Sequence, residues 1–369
     1  MLKTQLMARD ARWPSLRLRW LQCAAASIVF LMIFFLSRRD NDRWALTSSN
    51  LYRGGCYTKK ETDQLLFNTE TLLPHIPPKI WQVSILPGTS GSHNPIDPPQ
   101  YATQWLSFHP SFAYSIVNAA GALAAINRIE EILPSARHSS VRSDAPARRR
   151  TQLSQCQKLA EPTRLYNAIA QPVVQADLVR YTLLALEGGV YSDSDTYPVR
   201  PLRDWVPEVY RNQTRLIVGI EADSQPPVNG TKYPVQLGQW TFAAVKDHPI
   251  LWRMIRRVLE EVQRRTRAGG TESIDEQQPD VWFNIGEVLS VSGPIGWTEE
   301  LYSYLSDLTA TEFTWRNLTG LTAPVLFGDV LVLPINGFTT GVEHSGASME
   351  TVEATMVRHD FAGLWKNQS

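Results

Sequence analysis

The chain has 369 residues, 43% of them hydrophobic, and its 36 Lys and Arg balance its 36 Asp and Glu to a formal net charge of zero. That balance excludes the basic surplus on which a nucleic-acid binder depends, so no nucleic-acid partner is expected. Three cysteines are too few for a disulfide-framed fold, whereas a single domain of about 290 residues can bury a large core.

In chain order, the first feature is the uncharged run Trp20 to Leu36, WLQCAAASIVFLMIFFL, near the lower limit for a membrane span. It is longer than a usual signal-peptide core, and no small-residue cleavage site follows its most apolar part. Lys3, Arg9, Arg12, Arg17 and Arg19 precede it, while Arg38, Arg39 and Arg43 beyond it are diluted by Asp40 and Asp42. The charge bias predicts a cytoplasmic tail at 1–19, an uncleaved anchor at 20–36 and a lumenal remainder. Residues 37–73 have mixed charge and little periodicity, as a stem does, and the catalytic domain is expected at 74–369. Acceptor triplets for N-glycosylation at Asn212, Asn229, Asn317 and Asn367 all follow the anchor and are usable only in a lumenal domain. Cys23 falls in the apolar run, which leaves Cys56 and Cys156 as a candidate lumenal pair.

IPPKIWQV at 76–83 reads as a first strand bounded by prolines. Residues 94–130 read as a helix carrying Trp105, a strand from Phe112 to Val117 and another helix. Residues 134–151, rich in Ser, Ala and Arg without apolar periodicity, read as an exposed insertion. Ala176 to Glu187, ADLVRYTLLALE, reads as a helix apolar on nearly every face and therefore buried. Asp177 and Arg180 are its exceptions, three residues apart on one face, and buried charges need a partner, either each other or a polar ligand. Gly188 stops the helix, and Gly189 frees the turn into Val190-Tyr191-Ser192-Asp193-Ser194-Asp195. On an extended backbone, Asp193 and Asp195 lie on the same side and can converge on one hard cation. Leu216 to Ile220 reads as a buried strand and His248 to Arg267 as an amphipathic helix with a basic face. Strands alternating with helices predict an α/β fold whose ligand lies beyond the carboxyl ends of a mostly parallel sheet.

The run A-D-L-V-R-Y followed by L-E-G-G-V-Y-S-D-S-D resembles the signature of glycosyltransferases that contain a DXD sugar-binding motif, as in glycosyltransferase family 32 and the glucosylating bacterial toxins. IPPKIWQV looks like that family's first strand and VSGPIGWTEEL at 291–301 like its TGP segment. GDVLVLPINGFTTGV at 328–342 and VRHDFAGLWK at 357–366 are most similar to the fungal initiation-specific α-1,6-mannosyltransferases, although Leu364 stands where those tend to have Ser.

The resemblance implies a GT-A type fold, with Asp195 on Mn²⁺, Asp193 on the ribose and donor sugar, and Asp177 and Arg180 facing that sugar. It implies His359 as a further metal ligand, Gly363 and Lys366 near the diphosphate, and Trp81 and Gln82 in the base pocket. The activity it implies is a Golgi type II membrane enzyme that moves mannose from GDP-mannose to an N-glycan core on glycoproteins, through an α-1,6 linkage with retention, in a Golgi mannosyltransferase complex. Mannosylation of inositol phosphorylceramide, or a catalytically silent lumenal binding protein, are the alternatives.

Overall fold

The computed structural model describes residues 76–85, 101–133, 159, 161–268, 280–342 and 345–360, all within one compact unit, Thr58–Ser369. The expected tail, anchor and stem, Cys56, Cys156, the whole 134–151 insertion, Gly363, Leu364, Lys366 and Asn367 lie outside these residues. Among the described residues no helix is long and apolar enough to cross a membrane.

The elements in chain order are β1 (Lys79–Val83), α1 (Ala102–Phe108), β2 (Ala113–Val117), α2 (Ala119–Ile132), α3 (Pro162–Ala168), α4 (Pro172–Glu187), β3 (Gly189–Ser192) and β4 (Thr196–Pro198). They continue with β5 (Leu216–Asp223), β6 (Val235–Leu237), β7 (Thr241–Ala244), α5 (Pro249–Ala268), α6 (Ile285–Val291), α7 (Pro294–Thr309), β8 (Val325–Phe327), β9 (Val330–Leu333) and β10 (Val357–His359). An eight-stranded sheet runs β2-β1-β3-β7-β5-β9-β8, with β6 added on β5. Parallel pairing of β1 with β2 and β3, and of β5 with β9, sets five strands in one direction, while β6, β7 and β8 oppose them. The sheet is thus mixed with a parallel majority.

Helix α4 shows how composition positions the site. Pro172 presets the first turn, and eleven of the sixteen residues are buried, as an all-round apolar helix requires. Gly188 and Gly189 then turn the chain into β3 with φ of +63° and +109°. A Cβ at Gly188 would meet the Lys246 amide nitrogen at 2.7 Å, and one at Gly189 the Lys79 carbonyl oxygen at 2.6 Å. Only glycine meets both the positive φ and the close approach. Because α4 leads straight into β3, the start of α4 lies toward the carboxyl ends of the parallel strands. Beneath that end, Trp105, Trp205 and Phe338 join Ile80, Val190, Ile217 and Leu331 in one core cluster.

Candidate active site

The Asp-x-Asp pair does not sit on an extended strand. β3 ends at Ser192 and β4 begins at Thr196, so Asp193, Ser194 and Asp195 form the turn between them. Thr196 closes it, its amide 3.1 Å and its hydroxyl 2.6 Å from the Asp193 carbonyl oxygen, both donating. The buried Gln82 adds its amide to the same oxygen at 3.0 Å, and accepts in turn from the Tyr114 hydroxyl at 2.5 Å. Convergence of the two carboxylates is therefore the work of a pinned turn, not of strand alternation.

A two-stranded ribbon brings the third member. β10 pairs antiparallel with β4 with His359 opposite Thr196, and the Asp360 amide donates to the Asp195 carbonyl at 3.0 Å. The imidazole Nε2 of His359 then lies 3.0 Å from Asp195 Oδ1, and its ring packs beside Trp240 at 5.4 Å between centroids. One ligand atom from each of Asp193, Asp195 and His359 fits within a 4.8 Å spread. Two carboxylate oxygens and an imidazole nitrogen suit a divalent ion such as Mn²⁺.

Below the turn, the two helix charges join it in one network. Arg180 Nη2 lies 3.0 Å from Asp177 Oδ1 and 3.3 Å from Asp193 Oδ1, and Nη1 donates to the Gln239 carbonyl at 3.1 Å. The guanidinium carbon sits 4.8 Å over the Tyr191 ring, and the Tyr191 hydroxyl donates to Asp193 Oδ1 at 2.6 Å. Asp177 accepts from Ser292 Oγ at 2.7 Å and from the Gln239 side-chain amide at 3.2 Å. The buried Nε of Arg180 has no partner among the described residues. A desolvated guanidinium N–H left unpaired is costly, and an acceptor on a ligand resolves it.

The electrostatics follow from burial. Removal from water pushes the Asp177 carboxyl up to about 6, against the pull of Arg180, Ser292 and Gln239. Burial alone lowers Arg180, but Asp193, Tyr191 and Asp177 outweigh it and hold the guanidinium above its ordinary value. Burial drives Tyr191 well up, so its hydroxyl stays a donor.

The structure brings together Asp177, Arg180, Asp193, Asp195, His359 and Gln82. Trp81 is held apart from them: its indole N–H donates to the Gly188 carbonyl at 2.9 Å, at the opposite end of β3. Asn212, Asn229 and Asn317 are exposed; Asn317 also caps a short helical turn by accepting the Thr314 amide. Gln239 and Trp240, which lie between two apolar strands, and Tyr101, whose hydroxyl donates to Asp360, were not legible as site residues. Ser292 could have been found, since it falls inside the VSGPIGWTEEL segment.

The family described as "Glycosyltransferase sugar-binding region containing DXD motif" matches residues 98–212, a stretch that holds Asp177, Arg180, Asp193 and Asp195. The chain is 33% identical over 297 residues to the initiation-specific α-1,6-mannosyltransferase of Schizosaccharomyces pombe, covering 79% of this chain and 64% of that protein. It is 27% identical over 229 residues to the initiation-specific α-1,6-mannosyltransferase of Candida albicans, covering 57% of this chain and 58% of that protein. The chain thus spans about three fifths of the length of these curated relatives. Among solved structures, the PaToxG glycosyltransferase aligns with a TM-score of 0.36 and 17% identity, over 73% of this chain and 84% of that one.

Proposed function

We propose that this chain, whose residues 98–212 match the DXD-containing glycosyltransferase sugar-binding region, is a metal-dependent hexosyltransferase of GT-A type that moves mannose from GDP-mannose to an N-glycan core through an α-1,6 linkage. The observation that carries this reading is the buried Arg180, tied to Asp177 and Asp193 yet with an unpaired Nε. A structural ion pair needs no spare donor, whereas a sugar hydroxyl supplies the missing acceptor.

In this mechanism Asp193, Asp195 and His359 hold the divalent ion. When bound, it neutralises charge on the departing diphosphate. Asp177 and Arg180 grip the donor sugar, and Tyr191 and Gln82 fix the turn that carries Asp193. Ser292 and Gln239 keep Asp177 oriented, so the sugar meets a set of dipoles already in place. Donor and product anomers are both α, so the transfer retains configuration. The active domain faces the Golgi lumen, anchored through residues 20–36, and works with other mannosyltransferases of that compartment.

The test is to incubate the purified full chain with GDP-mannose and a high-mannose oligosaccharide, with and without Mn²⁺. Metal-dependent transfer of one mannose, released by an α-1,6-specific mannosidase, is the expected result. Absence of both transfer and donor hydrolysis, at any divalent ion, overturns the reading.

A further inference from the structure

Trp282 is 58% exposed and Ile285 60% exposed, three residues apart at the entrance to α6. The backbone that presents them is fixed almost atom by atom. The Val281 amide donates to the Ala168 carbonyl at 2.7 Å, and the Ala170 amide to the Val281 carbonyl at 3.2 Å. Arg265 Nη1 donates to the Trp282 carbonyl at 2.9 Å. The side chain of Gln171 donates to the Phe283 carbonyl and accepts from its amide, both at 2.8 Å. Asn284 and Glu287 close a capping box at the helix start. An indole displayed on so constrained a backbone has little conformational entropy left to lose on binding.

The place of this pair relative to the candidate active site follows from two helices running side by side. At one end, the α4 cap Gln171 binds Phe283, just before α6; at the other, Asp177 of α4 binds Ser292, just after α6. From Gln171 to Asp177 is six residues, or about 9 Å along the helix. Since α4 descends into β3, its outer end overshoots the Asp193–Asp195 turn, so the backbone of Trp282 and Ile285 lies outward of that turn along the strand direction, toward the carboxyl ends of the parallel strands. Two exposed apolar side chains fall far short of the roughly 800 Å² per partner of a protein interface. They are the size of a pyranose face.

We propose that Trp282 and Ile285 form an acceptor subsite, on which a sugar ring of the oligosaccharide stacks outward of the donor site. This rests on the reading of the chain as a hexosyltransferase. The experiment uses the full chain, Trp282→Ala and Trp282→Phe, with three readouts: KM for a high-mannose oligosaccharide, hydrolysis of GDP-mannose without acceptor, and direct oligosaccharide binding by saturation-transfer NMR. Trp282→Ala is expected to raise the oligosaccharide KM roughly tenfold while donor hydrolysis stays as in the wild type, and Trp282→Phe to recover most of the loss. If the wild type neither transfers nor hydrolyses but binds the oligosaccharide, and Trp282→Ala abolishes binding, the activity reading fails and the subsite stands. An unchanged oligosaccharide KM in Trp282→Ala, or a change only in oligomeric state, overturns the subsite. Should Trp282→Ala not fold, Ile285→Ser with an unaltered KM overturns it equally.

Discussion

Arginine–carboxylate pairs occur in two very different settings in this molecule. On α5, Arg264 lies 2.6 Å from Glu261, with side chains 61% and 22% exposed. Midway along α4, Arg180 lies 3.0 Å from Asp177, with side chains 8% and 2% exposed. The longer pair is the consequential one. Water and ions screen the exposed Arg264, whose partner Glu261 lies one turn away on the same helix face and is shared with Arg265. Nothing screens Arg180, so its surroundings must satisfy it completely, and they leave one nitrogen over. Charge at a protein surface is solvation; charge in the core is commitment to a ligand or a partner.

The sharpest break of that contrast is Asp195→Asn. It removes one formal charge from the turn proposed to hold the metal without touching the core, and mannose transfer at limiting Mn²⁺ should fall roughly a hundredfold or more while the circular dichroism spectrum is unchanged. Next comes a double-mutant cycle at the buried pair. Arg180→Gln alone strands Asp177 and should cost about 3–5 kcal/mol in urea unfolding, whereas Arg180→Gln with Asp177→Asn should recover most of that stability. Transfer should stay depressed, roughly tenfold to a hundredfold, in both variants; recovery in the double variant would return the pair to a purely structural role.

A pH series refines the same pair. The carboxyl of Asp177, raised to about 6 in the fold from an ordinary 3.8, binds its proton more readily folded than unfolded. Its contribution to stability is complete below the unfolded value and declines as pH rises through about 6. The stability of Asp177→Asn relative to the wild type should therefore improve as pH rises from 4 to 7, measured by unfolding midpoints. The smallest effect is expected on α5, where Arg264→Gln should leave both the unfolding midpoint and mannose transfer unchanged.

Much of this frame was legible from neighbouring residues, and the remainder was not because it depends on distant ones. The helix before Gly188, the strand at 216–220, the amphipathic helix beginning near His248 and the burial of Asp177 and Arg180 follow from local pattern. The turn at Asp193 does not: a short polar run after Val190 and Tyr191 is equally compatible with continued strand, and the decision is made by Thr196 and Gln82, the latter 111 residues away. Gln239 is a polar residue between apolar neighbours and gives no period to read. His359 was named through family resemblance, because nothing local in VRHDF announces that β10 will pair with β4.

The ribbon of β4 and β10 has a consequence for the timing of assembly. His359 reaches Asp195 across 164 residues of chain. During synthesis, the carboxylate turn emerges with no imidazole beside it, and the centre stays incomplete until β10 has been made and has found its strand. The cluster is therefore complete only once β10 has paired with β4: a chain interrupted before residue 357 carries both aspartates but not the imidazole that meets Asp195.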